Sequence, residues 1–139
     1  MNGNKPILLV EDDEVDIMTV RRAMKDLKVT NPLEVALNGE EAITYLEKNQ
    51  KDKPCIILLD LNMPRMNGID FLRHRAQKPS IKNIPVVVLT SSHEEQDMVQ
   101  SFSLGVAGYM VKPVDYRQFV ETIRIIDLYW TLSQFPTSH

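Results

Sequence analysis

Short apolar runs punctuate the chain at intervals: Ile7-Leu8-Leu9-Val10, Leu33 to Leu37, Cys55 to Leu59, Val86-Val87-Val88-Leu89 and Gly108 to Val111. Each is bounded by turn residues and too short for a helix, so they predict five strands. Three are continuously apolar rather than alternating, the pattern of strands covered on both faces by helices. Helical spacing fills the gaps. Val15, Met18, Val20, Met24 and Leu27 predict a first helix, Ala42, Ile43 and Leu46 a second, and Phe71 with Leu72 a third. Met98, Val99, Phe102 and Leu104 predict a fourth, and a fifth begins after Pro113 with Asp115 as N-cap and runs toward Leu132. Five alternations of strand and helix imply an α/β fold: a doubly wound parallel sheet with helices on both faces and right-handed crossovers. Asn31-Pro32, Asn67-Gly68 and Ile84-Pro85 supply the breaks this arrangement needs.

Length and composition narrow the picture further. The 139 residues suit one domain, with a core over about residues 6–132 and a tail over 133–139, and leave little room for a separate catalytic or DNA-binding module, so no output domain is expected. Hydrophobic residues at 43% and charged residues at 25% are those of an ordinary globular protein. A net charge of -3 with no Lys/Arg cluster gives no footprint for nucleic acid. The lone Cys55 cannot form an internal disulfide and reads as a small buried hydrophobe. The polar N-terminus predicts neither a signal peptide nor a membrane span, and hence a cytoplasmic protein.

Candidate chemistry lies beyond the carboxyl ends of the strands, where open α/β sheets place their ligands. Glu11, Asp12 and Asp13 follow the first strand, Asp60 the third, Thr90 the fourth and Lys112 the fifth. Carboxylates crowded in one cleft repel one another, and a divalent cation relieves that repulsion. All the candidate ligands are oxygens, which predicts Mg²⁺ rather than zinc. A carboxylate beside Mg²⁺, with a hydroxyl and an ammonium converging on it, suits phosphoryl acceptance, and Asp60 is the predicted nucleophile.

The segments Ile7-Leu8-Leu9-Val10-Glu11-Asp12-Asp13, Leu58-Leu59-Asp60-Leu61-Asn62-Met63-Pro64 with Asn67-Gly68, Val88-Leu89-Thr90 and Tyr109-Met110-Val111-Lys112-Pro113 resemble the receiver domain of two-component response regulators over nearly the whole chain. The resemblance implies a flavodoxin-like strand order 2-1-3-4-5 and phosphorylation of Asp60. It implies that Asp13 directly, Asp12 partly through water, Asp60 and the main-chain carbonyl of Asn62 hold Mg²⁺, with Glu11 in support. Lys112 and Thr90 would bind the phosphoryl oxygens, and Tyr109 would turn inward to signal through the surface of the fourth helix, fifth strand and fifth helix. It also implies a cis bond before Pro113, and positions at Asn62 and Ser92 that set the phosphoryl lifetime. The partner implied is a sensor histidine kinase or a histidine phosphotransfer protein. Ser91-Ser92-His93-Glu94-Glu95 and Ile126-Asp127-Leu128-Tyr129-Trp130 further resemble the small regulators of bacterial phytochrome-type kinases.

Each residue alone has a plainer reading. An acidic run is ordinarily a solvated loop or a first helical turn favoured by the dipole, and Tyr109 alone is a half-buried packing residue. The coincidence at four strand ends is what outweighs these. On the last helix, Phe119, Ile123, Ile126 and Trp130 form a core stripe, while Ile125, Leu128, Tyr129 and Leu132 project from another side. That second face predicts a symmetric homodimer, or cover by the tail through Phe135. Two other functions compete. A phosphatase of the haloacid dehalogenase type wants a second acid where Asn62 stands, and a cap domain. A phosphorylation-independent binding module has no need of Asp13, Asp60, Thr90 and Lys112 together.

Overall fold

The uninterrupted apolar runs settle into strands because only a doubly covered sheet hides both rows of their side chains. In the computed structural model, which describes residues 5–26, 28–112, 115, 117–122 and 124–125, the order is β1 (Ile7–Val10), α1 (Glu14–Asp26), β2 (Leu33–Ala36), α2 (Gly39–Lys48), β3 (Ile56–Leu59), α3 (Gly68–Ala76), β4 (Val86–Thr90), α4 (Glu95–Ser103) and β5 (Gly108–Val111). Helical residues 117–122 and 124–125 follow. The five strands are all parallel in the order β2-β1-β3-β4-β5, as the resemblance implied. Register aligns Val10 with Ala36 on one side and Leu59 on the other, so the first residues beyond β1 and β3 emerge side by side.

The central strands divide their side chains between two cores by simple alternation. Leu8, Val10, Ile57, Leu59, Val86 and Val88 pack with Ala42 and Leu46 of α2 and Phe71 and Leu72 of α3. Ile7, Leu9, Ile56, Leu58, Val87 and Leu89 pack with Val20, Ala23 and Met24 of α1 and with Phe119. β1, β3 and β4 are buried throughout, while the edge strands β2 and β5 are only partly so. Burial pushes the Cys55 thiol above its ordinary value, in keeping with a small core residue.

Local signals start the helices. Asn38 accepts a hydrogen bond from the Glu41 amide at 2.9 Å, Asn67 one from Asp70 at 3.0 Å, and Asp115 one from Gln118 at 3.0 Å, each satisfying an orphan donor of a first turn. Two helices carry apolar residues that do not face the core. On α1, Val15 and Met18 are exposed, and the core is met by Val20, Ala23 and Met24. On α4, Met98, Val99 and Phe102 are exposed, and the buried residue is Ser101, whose hydroxyl has no hydrogen-bond partner. Apolar spacing marked these helices correctly, but on α1 it mixes core residues with exposed ones, and on α4 it follows the outer surface.

Arg75, near the end of α3, is buried against carbonyls: one terminal nitrogen donates to Ile84 at 2.8 Å and the other to Leu104 at 3.2 Å. The guanidinium thereby ties α3 to the segment entering β4 and to the C-terminal end of α4. Replacing it strands two carbonyls and opens a void. Arg75→Ala is expected to lower stability by about 2–4 kcal/mol in urea unfolding, with α4 amides losing more hydrogen-exchange protection than those of α1.

Candidate functional site

β1 and β3 end next to each other, and their next residues, Glu11 and Asp60, carry buried carboxylates. Their backbones are fixed by the continuing ladder: the Asp60 amide donates to Val10 at 3.0 Å and the Glu11 amide to Ala36 at 2.9 Å. Carboxylate oxygens of Glu11, Asp12 and Asp60 lie within 4.8 Å of one another. Burial pushes the Glu11 carboxyl up to about 7, helped by the charge of Asp60 and opposed by Lys112.

Lys112, at the end of β5, answers this charge. Its Nζ stands 2.6 Å from Glu11 Oε1, 2.7 Å from Asp16 Oδ2 and 3.6 Å from Asp60 Oδ2. Burial alone would pull the ammonium down, but hydrogen bonds to Asp16 and Glu11 and the charge of Asp60 hold it above its ordinary value. Lysine here is a compact point charge among carboxylates.

The opposite wall comes from β4. Thr90 is fully buried, and its hydroxyl oxygen accepts hydrogen bonds from the Ser92 amide at 3.2 Å and from Asn62 Nδ2 at 3.3 Å. Asn62 Nδ2 also reaches Ser91 Oγ at 3.1 Å, and the Asn62 amide donates to Asp60 Oδ1 at 3.2 Å. Ser92 donates to Asp97 on the first turn of α4 at 2.6 Å. Tyr109, half-buried, donates to the Ser92 carbonyl at 3.4 Å and lies beside Phe102.

Glycine shapes the loop that carries Asn62. A Cβ at Gly68 would stand 2.6 Å from Leu61 Cα and 2.7 Å from the Asp60 carbonyl. Asn67-Gly68 was expected to form a turn. Its glycine is required by this close approach of α3 to the end of β3.

Most predicted residues therefore meet: Asp60, Asp12, Glu11, Thr90, Lys112 and Asn62 surround one cleft, with Ser92 and Tyr109 behind Thr90. Asp13 does not join them, which corrects its expected place as the direct metal ligand. Its Oδ1 accepts from the amides of Val15 at 2.8 Å and Asp16 at 3.2 Å, so Asp13 caps α1 and the clustered pair after β1 is Glu11 and Asp12. Asp16 was missed, since an acid in a first turn has the ordinary explanation of a favourable helix dipole. Ile125 is exposed. Pro113, Leu128, Tyr129 and Leu132, and with them the expected cis bond and most of the dimer face, lie outside the described residues.

Three hard oxygen donors that a cation would draw together, with no histidine or cysteine in the group among the described residues, fit a divalent metal of the Mg²⁺ or Mn²⁺ kind. The family model for the response regulator receiver domain matches residues 7–124. The chain belongs to this family. It is 35% identical over 133 residues to the response regulator Rcp1 of Synechocystis sp., spanning 93% of this chain and 90% of that protein. The phosphorylated cyanobacterial phytochrome response regulator RcpA superposes with a TM-score of 0.79 at 34% identity, covering 92% of this chain and 94% of that one. The Mn²⁺-bound form of Rcp1 gives 0.76 at 35% identity, covering 91% and 94%. This receiver thus has signalling proteins for relatives, and its acidic cleft suits a divalent cation.

The two aspartates after Glu11 are expected to behave differently. Asp12→Asn should weaken Mn²⁺ or Mg²⁺ binding by about tenfold or more in calorimetric titration, at least the scale seen for outer partners of metal ligands. Asp13→Ala should leave that affinity within about twofold and lower the unfolding free energy by about 1 kcal/mol, the loss of a cap. Equal loss of metal by both would restore Asp13 as a ligand.

Proposed function

We propose that this receiver accepts a phosphoryl group on Asp60 from a histidine kinase and passes the change to a partner through α4 and β5. The observation that carries this reading is Asp60 itself, a buried carboxylate between Lys112 on one side and the Thr90 hydroxyl and Asn62 on the other. In the transfer, a bond forms between an Asp60 carboxylate oxygen and phosphorus as the bond from phosphorus to the donor imidazole nitrogen breaks, the electron pair leaving with that nitrogen. Mg²⁺, held by Asp12, Asp60 and the main-chain carbonyl of Asn62 with Glu11 beside them, would neutralise charge on the incoming group. The chain's own part is placement. The Asn62 amide fixes one Asp60 oxygen, Lys112 faces the other, and Thr90 gives up its bonds to Asn62 and Ser92 to reach a phosphoryl oxygen.

The output follows from those bonds. Moving Thr90 releases the Ser92 amide, and Ser92 is joined both to Asp97 of α4 and to Tyr109. The phosphorylation is self-catalysed once a donor docks, and its slow reversal is tuned at Asn62 and Ser92. A phytochrome-type kinase is the proposed donor, given Rcp1 and RcpA, with the protein acting as a cytoplasmic receiver and without contacting nucleic acid. Among the described residues no helix is long and apolar enough to cross a membrane.

Incubation with acetyl phosphate and Mg²⁺ is expected to add one phosphoryl group by intact mass, and none to Asp60→Asn or without the cation. Absence of a gain would favour a phosphorylation-independent module, and multiple turnover of a phosphoester a phosphatase. We further propose a homodimer through the face of Ile125, Leu128, Tyr129 and Leu132, supported by the exposure of Ile125. Ile125→Glu should shift the sedimentation coefficient to that of a monomer, and an unchanged dimer would place the interface elsewhere.

A further inference from the structure

Lys112 has three N–H donors. Two are taken at short range by Glu11 at 2.6 Å and Asp16 at 2.7 Å, while Asp60 at 3.6 Å stands beyond hydrogen-bond reach. The ammonium is therefore drawn aside from the acceptor by two other carboxylates. Those two are unlike. Glu11 belongs to the oxygen cluster with Asp12 and Asp60, so a divalent cation bound there would compete for its charge. Asp16 is outside that cluster. Its backbone is held by the start of α1, where its amide donates to Asp13 Oδ1 at 3.2 Å, and its carboxylate faces the ammonium at 2.7 Å.

We propose that Asp16 is a positioning residue that competes with the phosphoryl group for Lys112, and so limits how tightly the phosphorylated state is held. This rests on Asp60 being the acceptor. A phosphoryl group on Asp60 brings new anionic oxygens, and Lys112 turns its remaining N–H to them by moving away from its two short contacts. With the cation weakening Glu11's pull, the contact to Asp16 decides how readily that happens. The pair is partly exposed, so solvent screening keeps the effect modest.

Asp16→Asn removes the charge while keeping the shape at a half-exposed position. The test uses beryllium fluoride, which adds to a carboxylate oxygen as a tetrahedral phosphoryl mimic, followed by ¹⁹F NMR at saturating Mg²⁺, with a separate titration by Mg²⁺ alone. Asp16→Asn is expected to bind the mimic about two- to fivefold more tightly. It should bind Mg²⁺ alone about two- to fivefold more weakly, because the released ammonium leans onto Glu11 and Asp60. Asp16→Glu, which keeps the carboxylate, should restore both values toward those of the unmodified protein. A general loosening of α1 would weaken both, and that result, or an unchanged affinity for the mimic, overturns the proposal. Failure of the unmodified protein to take up the mimic overturns the acceptor reading itself, and this inference with it.

Discussion

The Lys112 ammonium is surrounded by carboxylates, at 2.6 Å from Glu11, 2.7 Å from Asp16 and 3.6 Å from Asp60, and the site is organised by that excess of negative charge. Parallel register forces the excess, because β1 and β3 end together and the residues that follow them are Glu11 and Asp60. Unpaired buried carboxylates are strongly unfavourable. One lysine cannot neutralise Glu11, Asp12, Asp16 and Asp60 at once, and the Glu11 carboxyl is pushed up chiefly by burial and further by the charge of Asp60. A fold that leaves this charge uncompensated is suited to take up a cation, and the cation in turn makes an approaching phosphoryl anion tolerable.

Charge explains why a ligand enters, but not how its arrival is felt elsewhere. That depends on α4. Its apolar residues Met98, Val99 and Phe102 face outward, while it buries the unpartnered hydroxyl of Ser101. A helix with so little apolar anchorage belongs to the low-stability end of the structure. Its first turn is joined through Asp97 to Ser92, and Ser92 through its amide to Thr90. A change in the bonding of one threonine hydroxyl therefore bears on a helix that is easily moved.

Much of this could be read from the residues, and the exceptions have identifiable causes. Continuous apolar runs require two-sided cover, so the central strands were legible almost to the residue. Strand order came from the family resemblance, since periodicity does not encode adjacency. The acidic run after β1 suggested a metal site, yet which two of its members cluster with Asp60 depends on where α1 begins. Asp13 is claimed by the helix N-terminus, and that moves the pair one residue earlier. Val15, Met18, Met98, Val99 and Phe102 show the limit of hydrophobic spacing, which cannot tell a core stripe from an exposed one. Asp16 and Arg75 were hidden because their partners, Lys112 and the Leu104 carbonyl, are distant in sequence.

The two walls of the cleft differ in rigidity, and the difference gives the site a direction. The loop after β3 is clamped at both ends. Gly39 donates to the Met66 carbonyl at 3.0 Å, with no space for a Cβ against Met66, and Gly68 packs as closely on Leu61 and the Asp60 carbonyl. Between them Arg65 is held at φ +62°, an unfavourable conformation for a residue with a side chain, retained because the surroundings fix it. Its ion pair with Glu40 is exposed at 3.4 Å and adds little by itself. The wall after β4 is differently held: the ladder fixes Thr90, whose carbonyl accepts from the Lys112 amide at 2.7 Å, but beyond it Ser91 and Ser92 meet Asn62 and Asp97 through side-chain hydrogen bonds at 3.1 and 2.6 Å. An anion added at Asp60 would meet one wall clamped at both ends and one held partly by side chains, an asymmetry that favours a response toward α4 and Tyr109 over one toward α2 and α3.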